Sequence, residues 1–103
     1  MIKRGSSLDF IREVESVQSE RAREYEQGGG ERSVEQIVRA FNSITRKNLT
    51  EEEGWLFLTL LKMVRAWNTS EYHHDSALDM VSYASLTAEA LFRNKKGGID
   101  GIK

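Results

Sequence analysis

The chain has 103 residues, the length of a single domain, and 39% of them are hydrophobic while 30% are charged. Fifteen basic against 16 acidic residues give a net charge of −1, which argues against binding a nucleic-acid duplex by phosphate neutralisation. The absence of cysteine excludes disulfides, thiolate nucleophiles and Cys-based metal sites. No apolar run approaches the ~20 residues that span a bilayer. No apolar segment follows the basic N-terminus as in a secretory signal, so we expect a cytoplasmic protein without membrane contact.

Apolar residues recur at helical spacing, which predicts an all-α fold in one domain spanning residues 1–103. The first helix is predicted over residues 7–27 from an apolar stripe consisting of Leu8, Ile11, Val14 and Val17. Because this stripe fades beyond Val17, we expect the helix to dock only by its N-terminal half. Three glycines at 28–30 then form a turn, since no strand precedes them as in a phosphate-binding loop.

The second helix is predicted over residues 33–47, where Ser33 and Gln36 form a capping box. Its apolar residues follow the i, i+3, i+4, i+7 pattern of one buried face. They are Val34, Ile37, Val38, Phe41 and Ile44. Arg46 and Lys47 place positive charge at the carbonyl end, where the helix dipole favours it.

The third helix is predicted over residues 50–67, beginning with a capping box of Thr50 and Glu53. Apolar residues lie on nearly all its sides, which predicts that it is the central helix of the bundle. They are Trp55, Leu56, Phe57, Leu58, Leu60, Leu61, Met63, Val64 and Trp67. The acids at 51–53 are interpreted as capping charges, roughly 24 Å from the other end of the helix at 1.5 Å per residue.

The fourth helix is predicted over residues 75–93, followed by a frayed tail over 94–103. Together the four helices predict a bundle-like domain whose core comes from the second, third and fourth helices. The predicted core residues are Val34, Ile37, Val38, Phe41, Leu58, Leu61, Val81 and Leu91. Because the apolar surface exceeds what so small a bundle can cover, we expect a homodimer or tetramer.

Charged residues gather where the third helix meets the fourth. Lys62 and Arg65 are three residues apart and share one helix face. Asp75 and Asp79 share a face of the next helix, which Tyr83 continues. If the two helices form an antiparallel hairpin, Lys62 lies level with Asp79, and Arg65 lies near Asp75.

Two interpretations of this cluster stay open. In the first, the cations pair with the aspartates and only fix the hairpin register, as a partly buried ion-pair network. In the second, the cations bind the phosphate of an anionic ligand while Asp75 and Asp79 orient them or bind a metal ion. Trp67 and His74 lie at the same end of the bundle, where the Trp67 ring offers a surface for stacking a base. Of the pair His73 and His74, one is expected to cap the fourth helix.

From Arg21 to about Leu91, the sequence resembles a family of small, functionally uncharacterised proteins encoded mostly by bacteriophages and prophages. A fairly specific pattern carries the resemblance: Lys-x-x-Arg is followed by Asp-Ser-x-x-Asp-x-x-x-Tyr-Ala. The matching positions are Arg21, Tyr25, Phe41, Asn42 and the segments 60–66 and 74–84. This resemblance implies a phage origin and the host cytoplasm as the compartment, and it implies little about mechanism.

The chain is also distantly similar to the MazG-like all-α nucleotide pyrophosphohydrolases. In those enzymes one helix supplies Glu-x-x-Glu and the next supplies two further acids, which together bind magnesium at a nucleotide triphosphate. Asp75 and Asp79 are similar to the second half of that set, whereas Lys62 and Arg65 stand where the first acids belong. The similarity therefore implies binding of a nucleotide or phosphate, and it leaves magnesium-dependent hydrolysis in doubt.

Two functional hypotheses follow from these patterns. The first is a MazG-like protein that binds a nucleotide or another phosphate ligand through the cluster and its flanking residues. These residues are Lys62, Arg65, Asp75, Asp79, Tyr83, Trp67 and His74, with Asp75 and Asp79 as candidate ligands for Mg²⁺. The second is a non-enzymatic phage protein for interaction or counter-defence, which binds a host protein or sequesters a small anionic signal.

Overall fold

A computed structural model describes residues 5–24 and 33–99. Over these residues the chain forms four α-helices and no strand, which confirms the all-α prediction. The helices are α1 (Ser7–Glu24), α2 (Ser33–Thr45), α3 (Glu51–Asn68) and α4 (His74–Asn94). The predicted last turn of the first helix, the glycine turn and residues 100–103 of the predicted tail lie outside the described residues. Within them, no helix is both long and apolar enough to cross a membrane.

Two of the helix boundaries have a clear local cause. Thr50 and Glu53 form the predicted capping box of α3, with Glu53 N donating to Thr50 Oγ1 at 3.1 Å and Thr50 N donating to Glu53 Oε1 at 2.8 Å. Helix α2 stops two residues earlier than predicted, because Arg46 adopts a positive φ of 59°. The Asn42 amide then holds the connection to α3, donating to Leu49 O at 2.9 Å and accepting from Leu49 N at 2.7 Å.

Helices α3 and α4 form an antiparallel hairpin at the centre of the fold. Helix α2 packs against α3, and α1 packs against α4. Val34, Val38, Trp55 and Ala90 form the buried core between α2 and the hairpin. Partly buried residues complete this core, namely Leu49, Leu58, Tyr83 and Leu86. The two outer helices therefore lie on different members of the hairpin.

Helix α2 crosses α3 at Gly54, where its close approach leaves no room for a side chain. A Cβ at Gly54 would lie 2.8 Å from Val38 Cγ2 and 3.0 Å from Val34 Cγ1. Val34 and Val38, which face this glycine, are the buried residues of α2. The prediction that Ile37 and Phe41 are core residues is therefore wrong, since both side chains are exposed.

In the hairpin, one of the four residues predicted to lie in the core is exposed. Leu58, Leu61 and Val81 are partly buried, whereas Leu91 is exposed. In one chain α3 packs against α2 and α4 and leaves an apolar side in solvent, so the single chain does not show α3 as a fully enclosed central helix.

Helix α1 docks on α4 through its middle rather than through its N-terminal half alone. Val14 is buried, whereas Leu8 and Ile11 are exposed. Further along the helix, the Gln18 amide donates to Ser82 Oγ at 2.9 Å and to Ser85 Oγ at 3.1 Å. The docking contact thus continues past Val17, because a polar side chain replaces the fading apolar stripe.

We expect Gly54→Ala to lower the free energy of unfolding by about 1–2 kcal/mol. Alanine favours the helix by up to about 1 kcal/mol relative to glycine, but overpacking against two β-branched side chains costs about 1–3 kcal/mol. Urea unfolding measures the difference. Gly5→Ala is the matched control, because nothing lies within 4 Å of a Cβ at that position. A more stable Gly54→Ala variant would show that α2 does not press on this glycine.

Candidate functional site

The structure brings together three of the residues singled out in the sequence. Lys62 Nζ lies 2.9 Å from Asp79 Oδ2, and the two side chains retain only 17% and 21% of their exposure. The same ammonium lies 5.9 Å from the centre of the Tyr83 ring, within the range of a cation–π interaction. The predicted register of the hairpin is therefore present at Lys62 and Asp79.

Arg65 and Asp75 do not join this group. Both side chains are exposed, and no ion pair among the described residues connects them. Three residues of helix turn by about 300°, so Arg65 points about 60° away from Lys62 and leaves the face that contacts α4. Asp75 instead supplies negative charge to the first turn of α4, where the helix dipole favours it.

His74 faces α1 rather than the cation cluster. Its Nε2 lies 2.9 Å from Glu13 Oε1, and its Nδ1 lies 2.6 Å from the Tyr72 hydroxyl. The Phe10 ring stacks beside it with ring centres 5.7 Å apart. His73 is the histidine that caps α4, since its Nδ1 accepts a hydrogen bond from Ser76 N at 3.3 Å. These contacts give His74 a place in docking α1.

Trp67 lies near the C-terminal end of α3, with 88% of its surface exposed. Its position does not bring it against Tyr83 or the Lys62–Asp79 pair, which lie on the half-buried side of the hairpin. In the single chain, Trp67 therefore takes no part in the predicted cluster.

No three His, Asp or Glu side chains among residues 5–24 and 33–99 are grouped so that they could hold a metal ion. Asp79 already accepts a charge-assisted contact from Lys62. Asp75 lies four residues earlier on the same helix and is exposed. Binding of Mg²⁺ by these two aspartates stays a prediction.

A cavity of about 680 Å³ opens between α1, α2 and the hairpin. This volume falls within the range of sites that hold small-molecule ligands. Tyr83 lines the cavity and contacts the buried Trp55, with ring centres 5.6 Å apart and the planes inclined at 51°. Tyr83 thus connects the Lys62–Asp79 pair to the cavity.

Arginines from three helices line this cavity, and two of them are paired with glutamates. Arg39 pairs with Glu35 on α2 at 2.7 Å, and both side chains are solvated. Arg93 pairs across the hairpin with Glu51 at 2.7 Å. Arg21 of α1 also lines the cavity, and it makes no ion pair or hydrogen bond with another residue of the described ranges.

The Arg93–Glu51 ion pair shifts the pKa of both its members. Burial alone would raise the pKa of Glu51, but hydrogen bonds from Arg93 and Asn94 and the charge of Arg93 outweigh it, so this pKa lies below 4.5. The same hydrogen bond from Arg93 to Glu51 raises the pKa of the guanidinium, against the effect of burial. Both shifts favour the charged pair.

Sequence reasoning did not identify Arg39, Arg93 or Glu51 as residues of a site. Glu51 was interpreted as a capping charge, whereas the capping role belongs to Glu53 and Glu51 reaches across to α4. The contact between Glu51 and Arg93 could have been predicted from the register of the hairpin. If Lys62 lies opposite Asp79, the start of α3 must lie opposite the end of α4, where Arg93 stands.

Comparison with known proteins identifies one family. Residues 11–91 match the model of a family described as a domain of unknown function, DUF6378. Neither a curated protein nor a solved structure matches the chain.

Acid should weaken the fold partly through Glu51. Because the pKa of Glu51 is lowered by folding, its contribution to stability is present above about pH 4.5 and is lost as the pH falls through the folded value. We expect the free energy of unfolding to fall between about pH 6 and pH 3, and Glu51→Gln to reduce that slope. Urea unfolding at several pH values measures it, with the exposed Glu20→Gln as control. A slope in Glu51→Gln as steep as in the parent would contradict the assignment.

Lys62 and Arg65 should differ in their effect on stability. Lys62→Met leaves the half-buried Asp79 carboxylate without its partner, so we expect a loss of about 1–3 kcal/mol. Arg65→Met should change the free energy of unfolding by less than about 0.5 kcal/mol, because its side chain is solvated. Thermal or urea unfolding of both variants tests this, and Lys62→Met combined with Asp79→Leu should recover part of the loss. Equal losses for the two single variants would contradict this difference.

Proposed function

This chain belongs to the DUF6378 family, and we propose that it binds a nucleotide or another small phosphate-bearing ligand in the cavity between α1, α2 and the hairpin. One observation carries the proposal: the cavity wall combines the half-buried ring of Tyr83 with the guanidinium of Arg21, which pairs with no residue of the ranges 5–24 and 33–99. An arginine recognises phosphate through two parallel hydrogen bonds, and an aromatic ring provides a stacking surface for a base.

Of the other two arginines, Arg39 can add to phosphate binding at low cost. The Arg39–Glu35 pair lies in solvent, where such pairs contribute about 0–1 kcal/mol, so a phosphate can take over Arg39 without a large penalty. Arg93 is more firmly held, because Glu51 and Asn94 form a hydrogen-bonded group with it at the end of the hairpin. We therefore assign the first phosphate contacts to Arg21 and Arg39.

Binding without hydrolysis is the activity that this proposal favours. In the MazG-like comparison, Asp79 would be a magnesium ligand, but its carboxylate contacts Lys62 at 2.9 Å. Taking Asp79 for a metal would leave a half-buried ammonium without its partner, which costs about 1–3 kcal/mol. Asp79 instead pairs with Lys62, whose ammonium lies 5.9 Å from the centre of the Tyr83 ring that lines the cavity.

The finer parts of the proposal rest on the resemblances. The similarity to MazG-like enzymes supports a nucleotide as the ligand, and the similarity to small phage and prophage proteins supports a phage origin and action in the host cytoplasm. The alternative is a non-enzymatic interaction or counter-defence protein, which binds a host protein or sequesters a small anionic signal. Measuring whether the protein binds a nucleotide distinguishes the proposal from this alternative.

Calorimetric titration with nucleoside mono- and triphosphates, each with and without Mg²⁺, tests the proposal. We expect binding to the parent and an affinity about 10–100-fold lower in Arg21→Gln, the cost of losing a charge-assisted hydrogen bond. Arg23→Gln is the matched control, because Arg23 is exposed on the same helix and does not line the cavity.

Three outcomes would argue against the proposal. Equal losses in the Arg21 and Arg23 variants would indicate attraction by general charge rather than a site. No binding by the folded parent would favour the interaction protein. Release of pyrophosphate or phosphate in the presence of Mg²⁺, lost in Asp79→Asn, would replace binding without hydrolysis by a MazG-like reaction.

A further inference from the structure

We propose that one apolar face of α3 packs against the same face of a second copy, with the two helices antiparallel about a two-fold axis. We call this face the α3 stripe. It consists of Leu56, Phe57, Leu60, Met63, Val64 and Trp67. This surface is separate from the cavity, so the inference does not depend on the proposed ligand.

The α3 stripe is a continuous surface on one side of the helix. Its members are spaced by one, three or four residues, which places all of them within about 120° of the helix circumference. Trp67 and Phe57 are the most exposed, at 88% and 69%, and the remaining four are about half exposed. No charged residue falls within this sector between Leu56 and Trp67.

The rest of the chain packs against the other sides of α3. Trp55 and Thr59 are buried, Lys62 is half-buried against α4, and Gly54 touches α2. Glu51 and Trp55, through which α3 lines the cavity, lie roughly opposite the stripe. A partner on the stripe therefore meets neither the hairpin contact nor the cavity wall.

The exposed area suits a dimer. Taking about 200 Å² for a fully exposed large side chain, the six exposed fractions amount to about 700 Å² per copy. A stable protein–protein interface of standard size buries about 800 Å² on each partner. One self-complementary patch supplies nearly all of this, and contiguous apolar patches of this size are uncommon on monomeric proteins.

The charge at the edge of the stripe selects the antiparallel arrangement. Glu53 is exposed and lies in line with the stripe, one turn before Leu56 and Phe57. Parallel packing would set Glu53 of one copy beside the partner's Glu53, which like-charge repulsion disfavours. Antiparallel packing separates the two carboxylates to opposite ends, and it places the two-fold axis near Leu60 and Met63.

Sedimentation equilibrium or light scattering tests the association. We expect the parent to have twice the mass of the 11.8-kDa chain at about 50 µM, and Phe57→Glu to be a monomer there. Leu8→Glu is the matched control, because Leu8 is 60% exposed on α1, away from the stripe, and should remain a dimer. Circular dichroism verifies that the variants are folded. A monomeric parent, or a dimer that Phe57→Glu leaves intact, would overturn the proposal.

Cysteine crosslinking tests the orientation and does not depend on the folding of Phe57→Glu. The chain contains no cysteine, so a single introduced thiol reports on one position. In an antiparallel pair, Leu60→Cys should form a crosslinked dimer under mild oxidation, because the position lies near the axis, whereas Leu56→Cys, at one end of the stripe, should not. Equal crosslinking of both variants would overturn the antiparallel arrangement, and crosslinking of neither would overturn the α3 interface.

Discussion

The register of the α3–α4 hairpin is the constraint on which the remaining structure depends. Ion pairs fix it near both ends: Lys62 meets Asp79 towards the turn, and Glu51 meets Arg93 at the far end. Between them, Thr59 approaches Thr87 with their hydroxyl oxygens 3.4 Å apart. A shift by one residue would break both charged contacts together, and because both include partly desolvated groups, the cost would be several kcal/mol. The hairpin is thus held in one alignment.

The cavity arises because the outer helices use different halves of this hairpin. Helix α1 lies on α4 and helix α2 lies on α3, and the space between them is bounded by side chains of all four helices. Its wall carries three arginines and three glutamates, and two of the arginines are paired with glutamates. In the binding proposed above, a ligand phosphate would take the place of the Glu35 carboxylate as the partner of Arg39.

Helical periodicity was sufficient to predict the helices, and the capping box at Thr50 and Glu53 is confirmed atom by atom. The register also allowed Lys62 and Asp79 to be placed together. Arg65 and Asp75 were placed together on the same reasoning and lie apart, because a projection along the hairpin ignores the rotation of each side chain about its own helix.

The cavity and the exposed side of α3 could not be predicted from the sequence, for a different reason. Periodicity identifies which residues share a face, but the neighbour that covers the face depends on interhelical angles. The close contact at Gly54 buries Val34 and Val38 and leaves Ile37 and Phe41 uncovered, although their spacing is that of a buried face. In the described part of a single chain, α3 packs against α2 and α4, and one apolar side of it stays exposed instead of being enclosed as predicted.

Val38 takes part in two separate features of the structure. Its side chain packs against Gly54, and it also lines the cavity. The contact between α2 and α3 and one part of the cavity wall therefore depend on the same side chain. Any residue larger than glycine at position 54 would displace Val38, and with it this part of the wall. The shape of the cavity is thus sensitive to a position that does not line it.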